Sequence, residues 1–252
     1  MKRILIFELL FAAFLCNSCS KNSDSPTPPP PPPPSSLKVK TMTTEITASG
    51  SFHFLIVSTL SYDAQDRIIK VQSDSGYTNF SYQNNLVRKD IYQNGQPTQH
   101  LYYYLNSMSL LDSLITLAEG IPGRFRSDYY YNSKNQLIKI VMTSENAFGN
   151  FTDSALYEYN GNGDLTTITQ GDNINSYEYF DKPNVENSSF MLYPGLRPGP
   201  HLLKTSSFTY MSDSNTTTYA YDFDEDGRIV TVTAQTTGVA YSQTHITRYT
   251  YY

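Results

Sequence analysis

The stretch "YDFDEDGRIV", residues 221–230, contains the pattern D-x-D-x-D-G, which also opens a calcium-binding loop. A calcium loop of the helical type needs a bidentate acid at its twelfth position, and counting from Asp222 that position is Thr233. We therefore predict that this stretch is a turn between two β-strands and that the protein has no metal site. The alternative is a weak, partly hydrated calcium site formed by Asp222, Asp224 and Asp226.

The predicted turn belongs to a repeated frame, in which an aromatic residue is followed by Asp or Asn, two polar residues, Asp, Asn or Gly, any residue, and Ile or Leu. Copies begin at Tyr62 ("YDAQDRI"), Tyr131 ("YNSKNQL"), Tyr159 ("YNGNGDL") and Phe223 ("FDEDGRI"). A looser copy, "YLNSMSL", begins at Tyr104, and a shortened one, "YQNNL", begins at Tyr82. The stretch "YFDKPN" from Tyr179 keeps the aromatic start and the turn residues but not the second strand. One unit before Phe223 is therefore expected to have expanded or decayed.

Each copy of the frame predicts a β-hairpin. Aromatic or apolar residues alternate with others before the frame, as at Tyr129 and Tyr131, so these side chains share one face of a sheet. Asp and Asn form turns because they bond their own backbone and tolerate left-handed conformations. Runs such as "IIKV" and "IVTV" then restart the strand. We predict an all-β domain, an antiparallel meander of repeated hairpins that is curved or closed into a barrel-like sheet, because closure removes exposed edges.

The N-terminus resembles the leader of a bacterial lipoprotein. Residues 1–18 begin with Lys2 and Arg3 and continue as a short apolar stretch, which is typical of a secretory signal peptide. Small Ser18 precedes Cys19, and this resembles a lipobox, in which the first mature cysteine carries the lipid. The run "CSKNSD" is similar to the signal that exports Bacteroidota-type lipoproteins to the outer face of the outer membrane. The resemblance implies a covalent lipid such as palmitate on Cys19 and a position at the cell surface. The alternatives are the periplasmic face and a free periplasmic protein.

A proline-rich tether follows the leader. Residues 19–36 contain seven consecutive prolines at 28–34, which favour an extended helix of about 3.1 Å per residue and predict a disordered spacer. The β domain is then predicted to cover residues 37–252. Without the leader the chain has 16 basic and 22 acidic residues, a net charge of −6, which argues against nucleic acid as a partner. Apart from the lipid, no cofactor is expected, and the oligomeric state is left open.

Two known families resemble parts of this sequence. The stretch "FDEDGRIVTV" is similar to the tyrosine–aspartate repeats of Rhs-type and teneurin-type proteins, in which many repeats wind a β-shell around cargo. The few copies in this chain are too few to enclose cargo of that size. The leader, spacer, hairpins and the element "YEYFDKPN" together resemble a family of Bacteroidota outer-membrane lipoproteins. Their shared domain, of unknown function, is described as having a porin-like fold. This resemblance implies architecture and location but no chemistry.

The sequence contains no recognisable catalytic motif. The four histidines, at positions 53, 100, 201 and 245, are scattered without metal-ligand spacing, and no nucleophile elbow, zinc-protease or phosphate-loop motif is present. We therefore predict that the protein is not an enzyme. A glycan-active enzyme is kept as an alternative because paired carboxylates meet in space rather than in sequence.

Two tyrosine triplets, residues 102–104 and 129–131, place rings on both faces of their strands. Tyr103 and Tyr130 are the candidate ligand-binding residues, predicted to lie outside the core and to contact glycan or peptide. Cross-strand aromatic pairing that stabilises the sheet is the alternative. The function expected from the sequence is a lipid-anchored, non-enzymatic binding or scaffold module of the cell envelope. A purely structural envelope protein and a transmembrane β-barrel are the other candidates.

Overall fold

The computed structural model describes residues 38–48, 52–146, 149–184, 199–210, 213–239 and 241–252. Within these ranges the chain forms sixteen β-strands. No helix long and apolar enough to cross a membrane occurs in the described ranges. The predicted leader and tether, including Cys19, lie outside the described residues.

The strands follow one another along the whole domain. They are β1 (Val39–Ala48), β2 (Phe52–Tyr62), β3 (Ile68–Ser73), β4 (Gly76–Gln83), β5 (Leu86–Gln93), β6 (Gln96–Leu105), β7 (Leu111–Ala118), β8 (Gly123–Tyr131), β9 (Leu137–Asn146), β10 (Gly149–Tyr159), β11 (Leu165–Gln170), β12 (Asn173–Pro183), β13 (His201–Tyr210), β14 (Asp213–Phe223), β15 (Ile229–Gly238) and β16 (Ser242–Tyr251). Each strand pairs antiparallel with its sequence neighbours, and β1 pairs with β16, so the meander closes into a barrel. The prediction of an all-β, antiparallel, barrel-like sheet is confirmed.

Five hairpins share one turn geometry. After β2, the Oδ1 atom of Asp63 accepts hydrogen bonds from the amides of Gln65 and Arg67, both at 2.9 Å, and Asp66 adopts a φ of 63°. The equivalent acceptors in the other four hairpins are Asn106, Asn132, Asn160 and Asp224. The equivalent positive-φ residues are Ser109, Asn135, Gly163 and Gly227. A register shift accompanies each of these turns, which is the signature of a β-bulge.

Two details of the predicted repeat are corrected. In the third copy Asn106 is the capping residue, so the frame starts at Leu105 rather than Tyr104, and β7 begins at Leu111. The copy at Tyr179 does have a second strand, because β13 pairs with β12 after the intervening insertion. That unit has therefore expanded rather than decayed.

The two ends of the domain complete an eighth unit. Val39 lies opposite Tyr251, and the register shifts immediately after Val39. The first hairpin has the same arrangement, in which Ile68 lies opposite Tyr62 beside a register shift. The amide of Tyr252 donates to the carbonyl oxygen of Lys38 at 3.1 Å, where a hairpin would have its turn. The barrel is therefore eight two-stranded units in a ring, and the last of them is joined by hydrogen bonds alone.

The hydrophobic core lies inside the barrel, at the end that carries the Asp and Asn turns. We call this the Asx-turn end. On β2, for example, Leu60 is buried whereas Thr59 and Ser61 on the other face are exposed. The core cluster draws on nearly every strand and includes Val39, Leu60, Ile68, Phe80, Val87, Tyr103, Leu111, Tyr129, Leu137, Tyr157, Leu165, Ile168, Leu202, Ile229 and Tyr249. At this end the closed sheet buries its inner face, so the inward-pointing side chains are mostly apolar.

Candidate ligand chamber inside the barrel

The inner face becomes accessible towards the opposite end of the barrel. Here strands are joined by only two to four residues, and we call this the short-turn end. On β2, Ile56 and Phe54 share the inner face with Leu60, but Ile56 is only half-buried and Phe54 is exposed. On β14 the inner residues from Tyr221 to Asn215 are all half-buried. The barrel is therefore packed at the Asx-turn end and accessible above it, and we call the accessible space the chamber.

Exposed aromatic side chains stand on the inner face near the rim of the chamber. Phe54, Phe125, Phe151 and Tyr210 are 47%, 38%, 48% and 40% exposed. Phe125 and Phe151 flank Ser144 from the two neighbouring strands, so they are close to each other on the inner face. Large apolar side chains that remain exposed at the mouth of a barrel are typical of a ligand-binding site.

One side of the chamber is built from amide, hydroxyl and imidazole groups. The inner residues of β12, β14 and β16 at this level form what we call the polar wall: Asn173, Asn175, Tyr177, Asn215, Thr217, Tyr219, Gln243, His245 and Thr247. Thr217 and Thr236 share a hydrogen bond of 2.8 Å, and Tyr219 and Ser206 share one of 3.3 Å. Burial raises the pKa of Tyr177 and Tyr219 and lowers the pKa of His245. The polar wall is therefore uncharged near neutral pH.

The polar wall also contains an unsatisfied donor. Asn175 is buried between Ile168 and Phe208 of the neighbouring strands. Its Nδ2 atom is the one buried side-chain nitrogen or oxygen in the described part of the chain that has no hydrogen-bond partner. Such groups are rare in folded proteins, since leaving one unpaired costs about 1–3 kcal/mol.

The other side of the chamber combines apolar residues with polar ones such as Thr44, Gln99, Thr116 and Ser127. Inner residues on β1 to β10 at this level include Ile46, Ile56, Val71, Ile91, Leu101, Leu114 and Met142. Lys89 also lies on this face, opposite Phe80 and Leu101, with its Nζ atom 5.7 Å from the centre of the Phe80 ring. Burial lowers the pKa of Lys89 to about 8. The acid Asp153 is paired across the inner face, since its Oδ2 atom accepts a hydrogen bond of 2.6 Å from Gln170.

The three acids of the opening stretch do not converge on one point. Asp222 lies on the outer face of β14, opposite Thr231. The Oδ2 atom of Asp224 binds the Nε atom of Arg228 at 2.7 Å, and Asp226 binds the same guanidinium at 3.0 Å. Burial opposes ionisation of Asp224, but hydrogen bonds from Arg228 and its charge outweigh it and lower the pKa of that carboxyl. Two of the three acids thus hold an arginine, and the described residues contain no group of three or more potential ligands arranged for a metal.

The two candidate tyrosines have opposite environments. Tyr103 is only 2% exposed and belongs to the core, so the prediction that it lies outside is wrong. The physical reason is the one-residue displacement of its frame, which turns Tyr102 and Tyr104 outward instead. Tyr130 is 49% exposed on the outer face, opposite Lys139. Neither residue lines the chamber.

Sequence reasoning missed a buried Asp–His pair at the Asx-turn end. The Nδ1 atom of His201 lies 2.9 and 3.0 Å from the two carboxylate oxygens of Asp164, which is 2% exposed. Asn160 also donates to this carboxylate, at 3.1 Å. The sequence did contain a sign of this pair, because Asp164 is an acid at a frame position where other copies have Arg67 or Gln136. His100 makes a similar link on the outer face, between Asp90 and Glu119.

No protein-family profile and no curated protein matches the chain. Solved structures with the same fold do exist. A porin-like protein from Bacteroides uniformis has a TM-score of 0.59 and 14% identity, covering 85% of this chain and 98% of that one. A porin-like protein from Bacteroides vulgatus has a TM-score of 0.55 and 11% identity, with the same coverages of 85% and 98%. At this level of identity the similarity is one of fold. The chain therefore shares its closed antiparallel barrel with porin-like proteins of Bacteroides.

Proposed function

We propose that this protein is a non-enzymatic binding module of the bacterial cell envelope, tethered by a lipid on Cys19, that takes a glycan or peptide ligand into the chamber. The observation that carries the proposal is the accessible inner face, with its exposed rim aromatics and its polar wall. Ligand sites are typically concave, mostly apolar and equipped with a few convergent polar groups, and barrel mouths are a common place for them. A purely structural barrel would have no need to leave Phe54 and Phe151 exposed at the mouth.

The proposed location rests on two independent likenesses. The stretch around Cys19 resembles a lipoprotein leader with a surface-export signal. The structural neighbours are porin-like proteins from Bacteroides, a genus whose envelope has an outer membrane. Both support placement at the cell envelope, and the resemblance to a surface-export signal supports a β domain on the cell surface.

The outer face of the barrel favours surrounding water over surrounding lipid. A membrane-spanning barrel carries a continuous apolar band on its outside. Here the outer face carries ion pairs, including Arg88 with Asp90 at 2.8 Å, Arg126 with Asp128 at 2.6 Å and Arg248 with Glu45 at 3.1 Å. Charged side chains facing lipid near the middle of a bilayer cost about 2–4 kcal/mol each. We therefore propose that the barrel stands outside the bilayer on its tether.

Two neighbouring glutamines allow one experiment to test these points together. Gln243 lies on the inner face of β16, and Gln235 lies on the outer face of β15. Each is replaced singly by cysteine in the full chain, and the cells are treated with a membrane-impermeant maleimide before and after the outer membrane is opened. The unmodified chain controls for labelling of the native cysteines.

Labelling of both variants on intact cells is expected for an open chamber on a surface-exposed barrel. If Gln235→Cys reacts and Gln243→Cys does not, the chamber is closed and a structural role replaces binding. If Gln243→Cys reacts and Gln235→Cys does not, the outer face lies in lipid and the barrel spans the membrane. If both react only after the outer membrane is opened, the protein faces the periplasm.

A further inference from the structure

We infer that the ligand is a neutral, polyhydroxylated molecule, a glycan rather than a peptide or a charged lipid, bound against the polar wall. This inference rests on the proposed function, because it assigns a ligand class to the same chamber. Three features support it: the charge of the inner face, the closure of the sheet without an unpaired edge, and the aromatic rings beside the polar wall.

The charge of the inner face argues against an anionic or cationic ligand. A carboxylate or phosphate group taken out of water needs a cation or several donors around it. The polar wall contains no Lys, Arg, Asp or Glu. The acid Asp213 lies on the same face at the rim, opposite Tyr210, and Lys89 stands on the far side of the chamber beside Phe80. Asp153 is already held by Gln170. A neutral ligand does not need a compensating charge when it leaves water.

The closed sheet argues against the commonest mode of peptide capture. An extended peptide binds many β-proteins by adding a strand to an unpaired edge. Here β1 pairs with β16 over most of its length, from Met42 opposite Tyr249 to Ala48 opposite Gln243. A ligand in the chamber must therefore be recognised by side chains, and side-chain amides and hydroxyls both donate and accept hydrogen bonds, as sugar hydroxyls do.

Aromatic rings lie directly beside the amides of the polar wall. Tyr210 is opposite Asn173, and Phe208 is opposite Asn175, on the adjacent strands β13 and β12. Tyr210 is 40% exposed. A sugar ring has an apolar face and a hydroxylated edge, so it can pack on an aromatic ring while its hydroxyls reach neighbouring amides. The Nδ2 atom of Asn175 is buried beside these rings without a partner, so a ligand oxygen would satisfy it once a neighbouring side chain moves aside.

The test uses two leucine substitutions in the polar wall and two matched controls. Gln243→Leu and Asn175→Leu remove amides from the inner face. Gln235→Leu and Asn79→Leu remove the same groups from the outer face of nearby or comparable strands. The full chain is purified in a detergent without a sugar headgroup. It is titrated calorimetrically with neutral malto-, xylo-, manno- and chito-oligosaccharides, with palmitate and with a pool of random heptapeptides, and thermal stability is measured for every variant.

At least one neutral oligosaccharide series is expected to bind the unmodified chain and both controls. Binding should weaken by roughly tenfold or more in each inner-face variant, because each substitution removes a hydrogen-bonding amide from an enclosed site. Asn175→Leu should keep or raise the melting temperature while losing affinity, because it removes an unsatisfied buried amide. A fall in the melting temperature of Asn175→Leu would instead indicate a structural amide and count against its role in binding.

The remaining outcomes separate this inference from the proposed function. If palmitate or the peptides bind and the inner-face variants lose that binding, the chamber is a binding site but the glycan inference is wrong. Oligosaccharide binding that is unchanged in the inner-face variants places the glycan elsewhere and overturns the inference as well. If no probe binds, the glycan inference is overturned, and the maleimide labelling of Gln243→Cys then decides whether the chamber is open at all.

Discussion

The hydroxyl of Tyr62, at the end of β2, donates a hydrogen bond of 2.8 Å to the carbonyl oxygen of Val39, at the start of β1. The same link recurs at Tyr82 with Ile68, Tyr131 with Leu111, Tyr159 with Leu137, Tyr221 with Leu203 and Tyr251 with Ile229. Each of these tyrosines fastens an even-numbered strand to the first residues of the strand before it. The ring of tyrosines thus packs the Asx-turn end of the barrel and satisfies backbone groups next to the bulges.

Removal of one tyrosine hydroxyl should weaken the barrel measurably. We expect Tyr159→Phe to lower the free energy of unfolding by about 1 kcal/mol, because the carbonyl oxygen of Leu137 loses its 2.7 Å hydrogen bond. Tyr130→Phe is the matched control, since Tyr130 is exposed on the outer face, and it should change stability by less than about 0.5 kcal/mol. Urea denaturation followed by tyrosine fluorescence measures both. Equal effects of the two substitutions would contradict a structural role for the ring.

The turn after β14 should depend on Asp224 and not on calcium. Asp224→Ala removes the acceptor for the amides of Asp226 and Arg228, at 3.1 and 2.8 Å, and should lower the melting temperature. Asp222→Ala, on the outer face, should have little effect. Addition of millimolar calcium should leave the melting temperature of the unmodified chain unchanged. A calcium-dependent rise that disappears in both variants would restore the metal site.

The Asx turn capped by Asn106 contains a strained serine. Ser109 adopts a φ of 59°, where two other copies have glycine. Because a left-handed conformation costs a residue with a β-carbon about 1–2 kcal/mol, Ser109→Gly should stabilise the barrel by roughly 0.5–1 kcal/mol in chemical denaturation. Ser107→Gly, in the same turn but without a positive φ, is the control and should be neutral or slightly destabilising. Destabilisation by both would show that the entropy that glycine adds to the unfolded chain outweighs any strain relieved at Ser109.

Stability should rise as pH increases through the titration of Lys89. Its pKa is about 8 in the folded barrel against 10.5 ordinarily, so between these values the unfolded chain binds the extra proton and the free energy of unfolding increases with pH. Above about pH 10 the trend should reverse. Burial raises the pKa of Tyr62 and Tyr82 to about 12, so these tyrosines ionise first in the unfolded chain.

Replacement of the lysine isolates its contribution. Lys89→Met should raise stability at pH 7 by about 2 kcal/mol and abolish the increase between pH 8 and 10, while the decline above pH 10 persists. Denaturation midpoints measured from pH 6 to 11 test this. An unchanged pH profile in Lys89→Met would show that the ammonium group is solvated in the folded state.

The Asp164–His201 pair should contribute to stability because one partner is buried. His201→Ala leaves the carboxylate of Asp164 with only Asn160 as a side-chain donor and should cost about 1–3 kcal/mol at pH 6. His53→Ala removes a comparable contact to Glu45 from the surface, where solvent screens the pair and the expected loss of stability is much smaller. Thermal denaturation of both variants is the measurement. A larger loss in His53→Ala would overturn this ranking.

The hairpins of this fold can be predicted directly from its sequence. Asp63, Asn132, Asn160 and Asp224 cap their turns through contacts within four residues, so the repeated frame is sufficient to predict the hairpins and their positions. The alternation of tyrosine with polar residues likewise predicts which face is buried. Where the frame starts with a residue that is not aromatic, as at Leu105, the pattern is read one residue too early and assigns Tyr103 to the wrong environment, because side-chain direction alternates with every residue.

Other features depend on residues that are far apart in the chain. Closure requires β1 to pair with β16, about the full length of the domain away, and no local pattern specifies that contact. Asp164 meets His201 only when the ring is complete. The same is true of the chamber, which has the polar wall of β12, β14 and β16 on one side and Lys89 on the other. The sequence by itself determined the turns, the strands and their faces, since these follow from short-range hydrogen bonding and a period of two. Only the tertiary structure decided the number of strands in the ring and the contents of its interior, since these depend on the register of long-range pairing.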